Sequence, residues 1–323
     1  MNLATDTRLF TKPQTVPGRA LGDQSFKWLT LLMALSIFVL IGLIGYELAH
    51  GSQLAIRKFG WRFIASSNWD PVSEQFGALP FIFGTLVSSA VALLIAVPLS
   101  IATAVYLTEV APPWARQVLR LFIELLAAVP SVILGLWGIF VMVPWCRTHL
   151  FAWLRHTLGF LPLFQGPIYG VSMLAGGIII AIMILPIITS VSSEILRAVP
   201  GLQREAAYAL GATPWEVTRI AVLSYAKKGL FGAIILGLGR ALGETMAVTM
   251  VIGNRPEIAA SLFAPGYTLA SVVANEFTEA TTDMYLSALF EIGLVLLGVT
   301  VLVNALAQVL LKTFAGPSLR QQP

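Results

Sequence analysis

The stretch FIFGTLVSSAVALLIAVPLSIATAVYL, residues 81–107, decides the fold class of this chain. It carries no charge and exceeds the about 20 apolar residues that a helix needs to cross a bilayer core of roughly 30 Å. Backbone polar groups must be paired within the segment in lipid, so the stretch predicts a membrane-spanning helix. Pro98 predicts a kink inside it, because proline lacks a backbone donor and crowds the preceding turn.

The rest of the chain has the same apolar character. Of its 323 residues, 57% are hydrophobic and 11% are charged, whereas about 25% are charged in soluble domains. We therefore expect an all-α polytopic membrane protein with about six transmembrane helices. The further predicted spans are residues 28–46, 121–143, 169–191, 229–252 and 286–311.

Composition argues against several classes of function. The net charge of +4 comes from lysines and arginines at the ends of apolar runs, not from one basic face, so nucleic acid is not an expected partner. Cys146 is the lone cysteine, and no Cys/His cluster has metal-ligand spacing. His50, His149 and His156 fall in predicted loops or at their edges, so we expect no enzyme active site.

The distribution of basic residues predicts the orientation. With an even number of spans, both termini share a side, and that side holds thirteen lysines and arginines against six on the other. Because basic loops stay in the cytoplasm, we expect a multi-pass protein of the bacterial inner membrane with both termini cytoplasmic. Residues 192–228 then form a cytoplasmic loop.

This loop has helical signals of its own. Residues 202–210 have apolar positions at helical spacing, and Gly211 ends the pattern. Thr213, Pro214 and Glu216 then form a capping box that starts a second helix. Short amphipathic helices in water suit docking into a groove of another protein; a loop that merely lies on the membrane is the alternative.

The predicted span 229–252 contains two charged residues, Arg240 and Glu244. Each is unfavourable by about 2.5–3.5 kcal/mol at the centre of a spanning helix, so the pair should face a partner or a wet cavity. The i,i+4 spacing puts them on one face, and Gly239 and Gly243 would let a helix approach beside them. Arg240 either contacts an anion, with Glu244 holding it, or the two form a structural salt bridge.

Other acidic and proline positions in the spans favour structural roles. Glu124 and Glu291 lie nearer the ends of predicted spans, where their side chains can reach water. Pro130 and Pro186 are expected to be kinks. No G-x-x-x-x-G-K-[ST] phosphate loop occurs, so any ATP hydrolysis is expected in a separate subunit.

The cytoplasmic loop resembles the EAA loop by which importer-type ABC permeases bind their ATPase. The residues that carry this resemblance are Glu205, Ala206, Ala207, Gly211 and Leu223. Ala221 and Ser224 depart from the pattern, which has isoleucine and proline there. The resemblance implies that the five residues couple this chain to an ATPase.

Three further segments extend the resemblance along residues 28–315. They are FGALPF at 76–81, IELLAAVPSV at 123–132 and GRALGETMAV at 239–248. In this order they resemble the PstC permeases of phosphate-specific ABC importers. The sister PstA permeases are similar, but the segment before Gly77 and the Met-Ala-Val after Gly-Glu-Thr favour PstC.

The resemblance implies a type I ABC importer permease with a cytoplasmic coupling helix, moving inorganic phosphate by alternating access. It implies a heterodimer with a PstA-like permease, two ATPase subunits that hold ATP and Mg, and a periplasmic phosphate-binding protein, with no cofactor on this chain. Arg240 and Glu244 would line the substrate pathway. A permease for molybdate or sulfate, or an ion-gradient-driven secondary transporter, is the alternative.

The same reading divides the chain into four parts. Residues 1–27 are predicted to be a cytoplasmic tail, and residues 28–75 the first span with a periplasmic loop. Residues 76–315 are the predicted permease core with five spans, including the coupling loop at 192–228. Residues 316–323 are a second cytoplasmic tail.

Overall fold

The computed structural model describes the backbone of residues 17–314 and the side chains of residues 22–313, so residues 1–16 of the first predicted tail and the whole second tail, 316–323, lie outside it. The described part of the chain contains helices and no extended strand. They are α1 Pro17–Gly51, α2 Gln53–Phe59, α3 Arg62–Ala65, α4 Leu79–Val110, α5 Pro113–Ala128, α6 Ser131–Leu158, α7 Met173–Arg197, α8 Gly201–Ala209, α9 Pro214–Leu242, α10 Met246–Ile252, α11 Leu269–Glu276 and α12 Asp283–Phe314.

Six helices of the described chain are long and apolar enough to cross a membrane. They are α1, α4, α6, α7, α9 and α12, which confirms the predicted number of spans. The described residues up to His50 form a unit of their own. In this unit the large apolar side chains of α1 from Phe26 to Tyr46 are exposed, as expected for contact with lipid.

The second unit is built around α4 and α7, which pack along each other. The Ser100 hydroxyl of α4 donates to the Leu185 carbonyl of α7 at 3.1 Å. Helices α6, α9 and α10 pack around this pair, and a buried apolar cluster joins α4, α6, α7 and α10. Pro98 and Pro186 lie inside α4 and α7 without ending either helix.

The predicted third span, residues 121–143, is wrong in its limits. Val129 is extended, with φ −66° and ψ 125°, and separates α5 from α6. The cause is Pro130, since a residue before proline avoids the helical region. The spanning helix is α6, which runs to Leu158 through residues that were predicted to be a loop.

The predicted fifth span, residues 229–252, is also wrong in its limits. Helix α9 begins at Pro214 and ends at Leu242, and α10 is a separate helix. Hydropathy misses the first turns because the charged residue Lys227 lowers it there. Lys227 is exposed, whereas Val222 and Ala226 of the same turns are buried against the ends of α4 and α7. The predicted 192–228 loop shortens to residues 198–213, which we call the α8 loop.

Residues 52–78 and 267–285 pack together into a cap that joins the starts of α4 and α12. Glu276 holds the cap together by accepting hydrogen bonds from the Trp69 indole at 2.8 Å and the Tyr285 hydroxyl at 2.6 Å. In the same cap the Asn275 side-chain amide donates to the Tyr267 hydroxyl oxygen at 2.9 Å. Burial raises the pKa of the Tyr267 hydroxyl above its ordinary range.

Candidate functional site

Arg240 and Glu244 lie where the chain changes from α9 to α10. Their nearest charged atoms, Arg240 Nη2 and Glu244 Oε2, are 3.9 Å apart. The Arg240 side chain is 50% exposed and the Glu244 side chain is 6% exposed. The pair is thus a loose contact in which the cation is accessible and the carboxylate is buried.

The helix is broken between Arg240 and Glu244, and sequence analysis did not predict this break. Gly243 follows the last residue of α9, and Glu244 and Thr245 come before α10, which begins at Met246. One Glu244 oxygen faces the Ala247 N–H at 3.5 Å, near the start of α10. A carboxylate there is stabilised by the free N–H groups at a helix start, so Glu244 is held by α10 as well as by Arg240.

Arg240 borders an open groove of about 530 Å³ between α7, α9 and α12. The groove is mainly apolar, and Asn304 of α12 is its other polar side chain. The Asn304 amide donates to the Thr300 carbonyl at 2.9 Å. Sequence analysis missed Asn304, although a lone amide in an apolar span is a usable signal for a polar contact.

The predicted close approach at Gly239 and Gly243 is wrong. A Cβ at Gly239 would meet the Asn304 side chain at 3.9 Å, which is ordinary contact, and one at Gly243 would meet its own helix. Gly237 is the crowded position, because a Cβ there would lie 2.6 Å from Ile188 Cδ1. The close packing in this region is therefore between α9 and α7.

The α8 loop has the predicted helix–break–helix form. Gly211 has φ +83°, and its N–H donates to the Tyr208 carbonyl while the Ala212 N–H donates to the Ala207 carbonyl. This is a Schellman ending, which needs glycine at the left-handed position. The Thr213 and Glu216 capping box is present in both directions and starts α9, which confirms that prediction.

The α8 loop presents most of the predicted coupling residues to solvent. Glu205, Ala206 and Gly211 are exposed and Ala207 is half-buried. Leu223 lies further on, inside α9, where it packs on the buried cluster at the ends of α4 and α7. Large apolar side chains are exposed beside them: Leu202, Leu210, Trp215 and Ile220.

Arg204 connects the α8 loop to two spans, a role that sequence analysis missed. Its guanidinium pairs with Glu109 at the end of α4 through Nη2–Oε1 at 2.9 Å and Nε–Oε2 at 3.3 Å. It also donates to the carbonyls of Leu196 at 3.0 Å and Val199 at 2.7 Å. The side chains of Arg204 and Glu109 are largely buried, and no local pattern predicts a pair this distant in sequence.

The two acidic residues predicted to reach water differ. Glu124 is exposed and pairs with Arg120 at 2.8 Å, as expected near a surface. Glu291 is buried, and its Oε2 has no hydrogen-bond partner in the described chain. The prediction for Glu291 is therefore wrong; its neighbours Leu289 and Ile292 are buried in the cluster shared with the cap. No group of three or more His, Cys, Asp or Glu side chains fit for a metal occurs among the described residues.

Comparison with known proteins decides the family. Residues 96–315 match the family described as "Binding-protein-dependent transport system inner membrane component". This chain belongs to that family. The match begins inside α4 and covers α5 to α12 with the α8 loop, whereas the cap residues 52–78 precede it.

This permease is similar to curated proteins over most of its length. It is 46% identical over 305 residues to the phosphate transport system permease protein PstC of Mesorhizobium japonicum, with 93% of each chain covered. It is 44% identical over 293 residues to PstC of Haemophilus influenzae, with 90% of this chain and 93% of that one covered. The predicted resemblance to PstC permeases is confirmed.

A solved structure supports the fold alone. A bacterial ABC transporter involved in the import of the acidic polysaccharide alginate has a chain 15% identical to this permease, with a TM-score of 0.56. The likeness covers 92% of this chain and 99% of the other. It agrees with the predicted ABC importer permease architecture.

Proposed function

We propose that this permease carries inorganic phosphate across the bacterial inner membrane as one subunit of an ATP-driven importer. The observation that carries the proposal is the half-exposed Arg240 guanidinium at a helix break inside the spanning bundle, beside a groove. A guanidinium is a fork of donors suited to phosphate oxygens. Its loose contact with Glu244 leaves those donors available to an anion.

The relatives support phosphate as the cargo over molybdate or sulfate. The similar proteins from Mesorhizobium japonicum and Haemophilus influenzae are both named for phosphate transport. An ion-gradient-driven transporter is not favoured, since the family is one of binding-protein-dependent systems. In such a system a separate binding protein delivers the cargo.

The α8 loop supports docking to an ATPase in the cytoplasm. It exposes Glu205, Ala206 and Gly211 together with large apolar side chains, a surface suited to a groove of a partner. Arg204 joins this loop to the ends of α4 and α7. Movement of a bound motor would thus reach two spans of the core directly and drive alternating access.

The proposed assembly is a heterodimer of this chain with a PstA-like permease, two ATPase subunits at the α8 loops and a periplasmic phosphate-binding protein. ATP and Mg are held by the ATPase subunits. Both termini and the α8 loop are cytoplasmic, as the excess of basic residues on that side supports.

The test is ATPase activity and uptake by the complete complex in vesicles. We expect phosphate with its binding protein to stimulate ATP hydrolysis and ATP-dependent uptake, whereas molybdate and sulfate do neither. Stimulation by either of those anions in place of phosphate would overturn the proposed cargo. Uptake by this chain alone, driven by an ion gradient, would overturn the importer.

A further inference from the structure

A second cavity lies at the α8 end of the bundle, between the end of α4, α5 and the last turns of α7. Its volume is about 150 Å³, which is room for several waters or one tetrahedral oxyanion. It shares no lining residue with the groove beside Arg240. Its polar lining side chains are Arg120, Glu124, Thr189, Ser190, Ser193, Glu194 and Arg197.

Two lining hydroxyls are buried without a partner. Thr189 is fully buried and Ser193 is 7% exposed, and neither hydroxyl oxygen makes a hydrogen bond within the described chain. The buried hydroxyls of Thr85 and Ser88 bond carbonyls of their own helix, whereas those of Ser89 and Ser192 are unbonded like this pair. Buried polar groups in folded proteins are almost always bonded, and Thr189 and Ser193 line a cavity that Ser192 does not, so these two hydroxyls point to a bound molecule there.

The charged lining residues divide into one satisfied pair and two free groups. Arg120 and Glu124 bond each other at 2.8 Å. Arg197, the last residue of α7, and Glu194 make no ion pair with any residue between 22 and 313. The cavity therefore offers a free guanidinium and two hydroxyls as donors, and one free carboxylate as an acceptor.

This combination suits a ligand that both accepts and donates hydrogen bonds. Inorganic phosphate keeps at least one proton at neutral pH, so it has anionic oxygens for Arg197 and the hydroxyls and a P–OH for Glu194. Sulfate and molybdate carry no proton at that pH, and they would meet Glu194 with like charge and no donor. The lining thus selects for a protonated oxyanion.

We propose that this cavity is a second binding site for inorganic phosphate, nearer the α8 loop than Arg240. The inference rests on the proposed phosphate transport for its biological purpose, but its ligand follows from the lining alone. Phosphate released from the Arg240 groove would pause here before leaving at the α8 end, where Arg197 is exposed.

The test is equilibrium binding of labelled inorganic phosphate to the purified complex of permeases and ATPases, without the binding protein. Arg240→Gln is introduced throughout to remove the first site. In this background we expect Thr189→Val with Ser193→Ala to weaken binding roughly tenfold, since two hydrogen bonds are lost. Ser192→Ala is the matched control, because Ser192 is equally buried and unpartnered but does not line the cavity.

Competition by sulfate tests the role of the carboxylate. Unlabelled sulfate should not displace phosphate from the Arg240→Gln complex, but it should do so once Glu194→Gln is added. Loss of binding in Ser192→Ala equal to that in the double variant, no phosphate bound at all, or displacement by sulfate with Glu194 intact would each overturn the second site. Size-exclusion chromatography of every variant shows that the complex remains assembled.

The proposed function fails separately from this site. If the unaltered complex shows no ATP-dependent phosphate uptake while phosphate still binds in the Arg240→Gln background, the transported cargo is wrong and the cavity stands. If uptake is normal and the double variant binds phosphate as Ser192→Ala does, the cavity is overturned and the transport function stands.

Discussion

Arg240 and Glu244 differ in exposure although they lie one turn apart, and this difference gives them different expected roles. Glu244 is buried and is held near the start of α10, whereas Arg240 is half-exposed at the groove. A buried carboxylate that has lost its cation is destabilising, because the charge is left without compensation. Substitution at Arg240 is therefore expected to affect both transport and, to a smaller extent, stability.

We predict that Arg240→Gln lowers phosphate uptake by about 10- to 100-fold, because a charged hydrogen-bond donor to the anion is lost. Arg240→Lys keeps the charge but not the fork of donors, so intermediate uptake is expected. Arg155→Gln, an exposed arginine of α6 outside the groove, is the control. Full uptake by Arg240→Gln, measured in vesicles, would contradict the anion role.

Gly237 tests the packing between α9 and α7. We predict that Gly237→Ala destabilises the protein by about 1–3 kcal/mol, since the new Cβ would overlap Ile188. Gly232→Ala on the same helix meets no atom within 4 Å and should be neutral or stabilising. The midpoints of thermal unfolding of the two variants in detergent measure this difference in stability. Equal midpoints would show that α7 is not this close to α9.

At the scale of elements, the α8 loop is fixed by local bonds where α8 ends and α9 begins, and by the long-range bonds of Arg204 within α8. The local bonds are the Schellman ending at Gly211 and the capping box from Thr213 to Glu216. The long-range bond is the Arg204–Glu109 pair. These two kinds of contact predict different effects when they are removed.

We predict that Arg204→Ala separates ATP hydrolysis from transport, because the α8 loop then loses its bonds to α4 and α7. Removing one partner of a largely buried pair costs about 3–5 kcal/mol, so Glu109→Gln should have a similar effect. A double-mutant cycle on the phosphate taken up per ATP hydrolysed checks the pairing. Additive losses would mean that the two residues act independently.

Gly211→Ala is expected to weaken ATPase binding without altering the spanning helices. Its φ of +83° is unfavourable for alanine by about 1–2 kcal/mol, so the loop should shift where it exposes its docking residues. Gly211→Asn is the matched variant, since asparagine tolerates this region better. Co-purification of the ATPase measures the effect; retention that is equal for alanine and glycine would count against the loop as the docking site.

At the scale of the whole molecule, the cap and the α8 loop should lie on opposite sides of the membrane. We predict that a cysteine at Leu210 reacts with a membrane-impermeant maleimide only in inverted vesicles, and a cysteine at Val72 only in intact cells. Both positions are highly exposed, at 89% and 94%. The buried Cys146 is first replaced by alanine. Labelling of both positions from one side would refute the orientation.

Much of this architecture could be read from local patterns. The number of spans follows from apolar runs, because each helix must satisfy its own backbone in lipid. The turn at Gly211 and the start of α9 at Thr213 follow from side-chain bonds within a few residues. The limits of the third and fifth spans could not be predicted, since Pro130 and Gly243 break apolar runs that hydropathy treats as continuous.

By itself the sequence determined that the chain spans a membrane and carries a capped helical loop. It also determined that one predicted span contains an arginine and a glutamate. Only the tertiary structure decided that Arg240 is accessible while Glu244 is buried, that Arg204 bonds Glu109, and that Thr189 and Ser193 line a cavity. The physical reason is the distance along the chain over which each interaction acts. Hydropathy and capping act within a helix or a turn, whereas burial and ion pairing depend on which helices pack together.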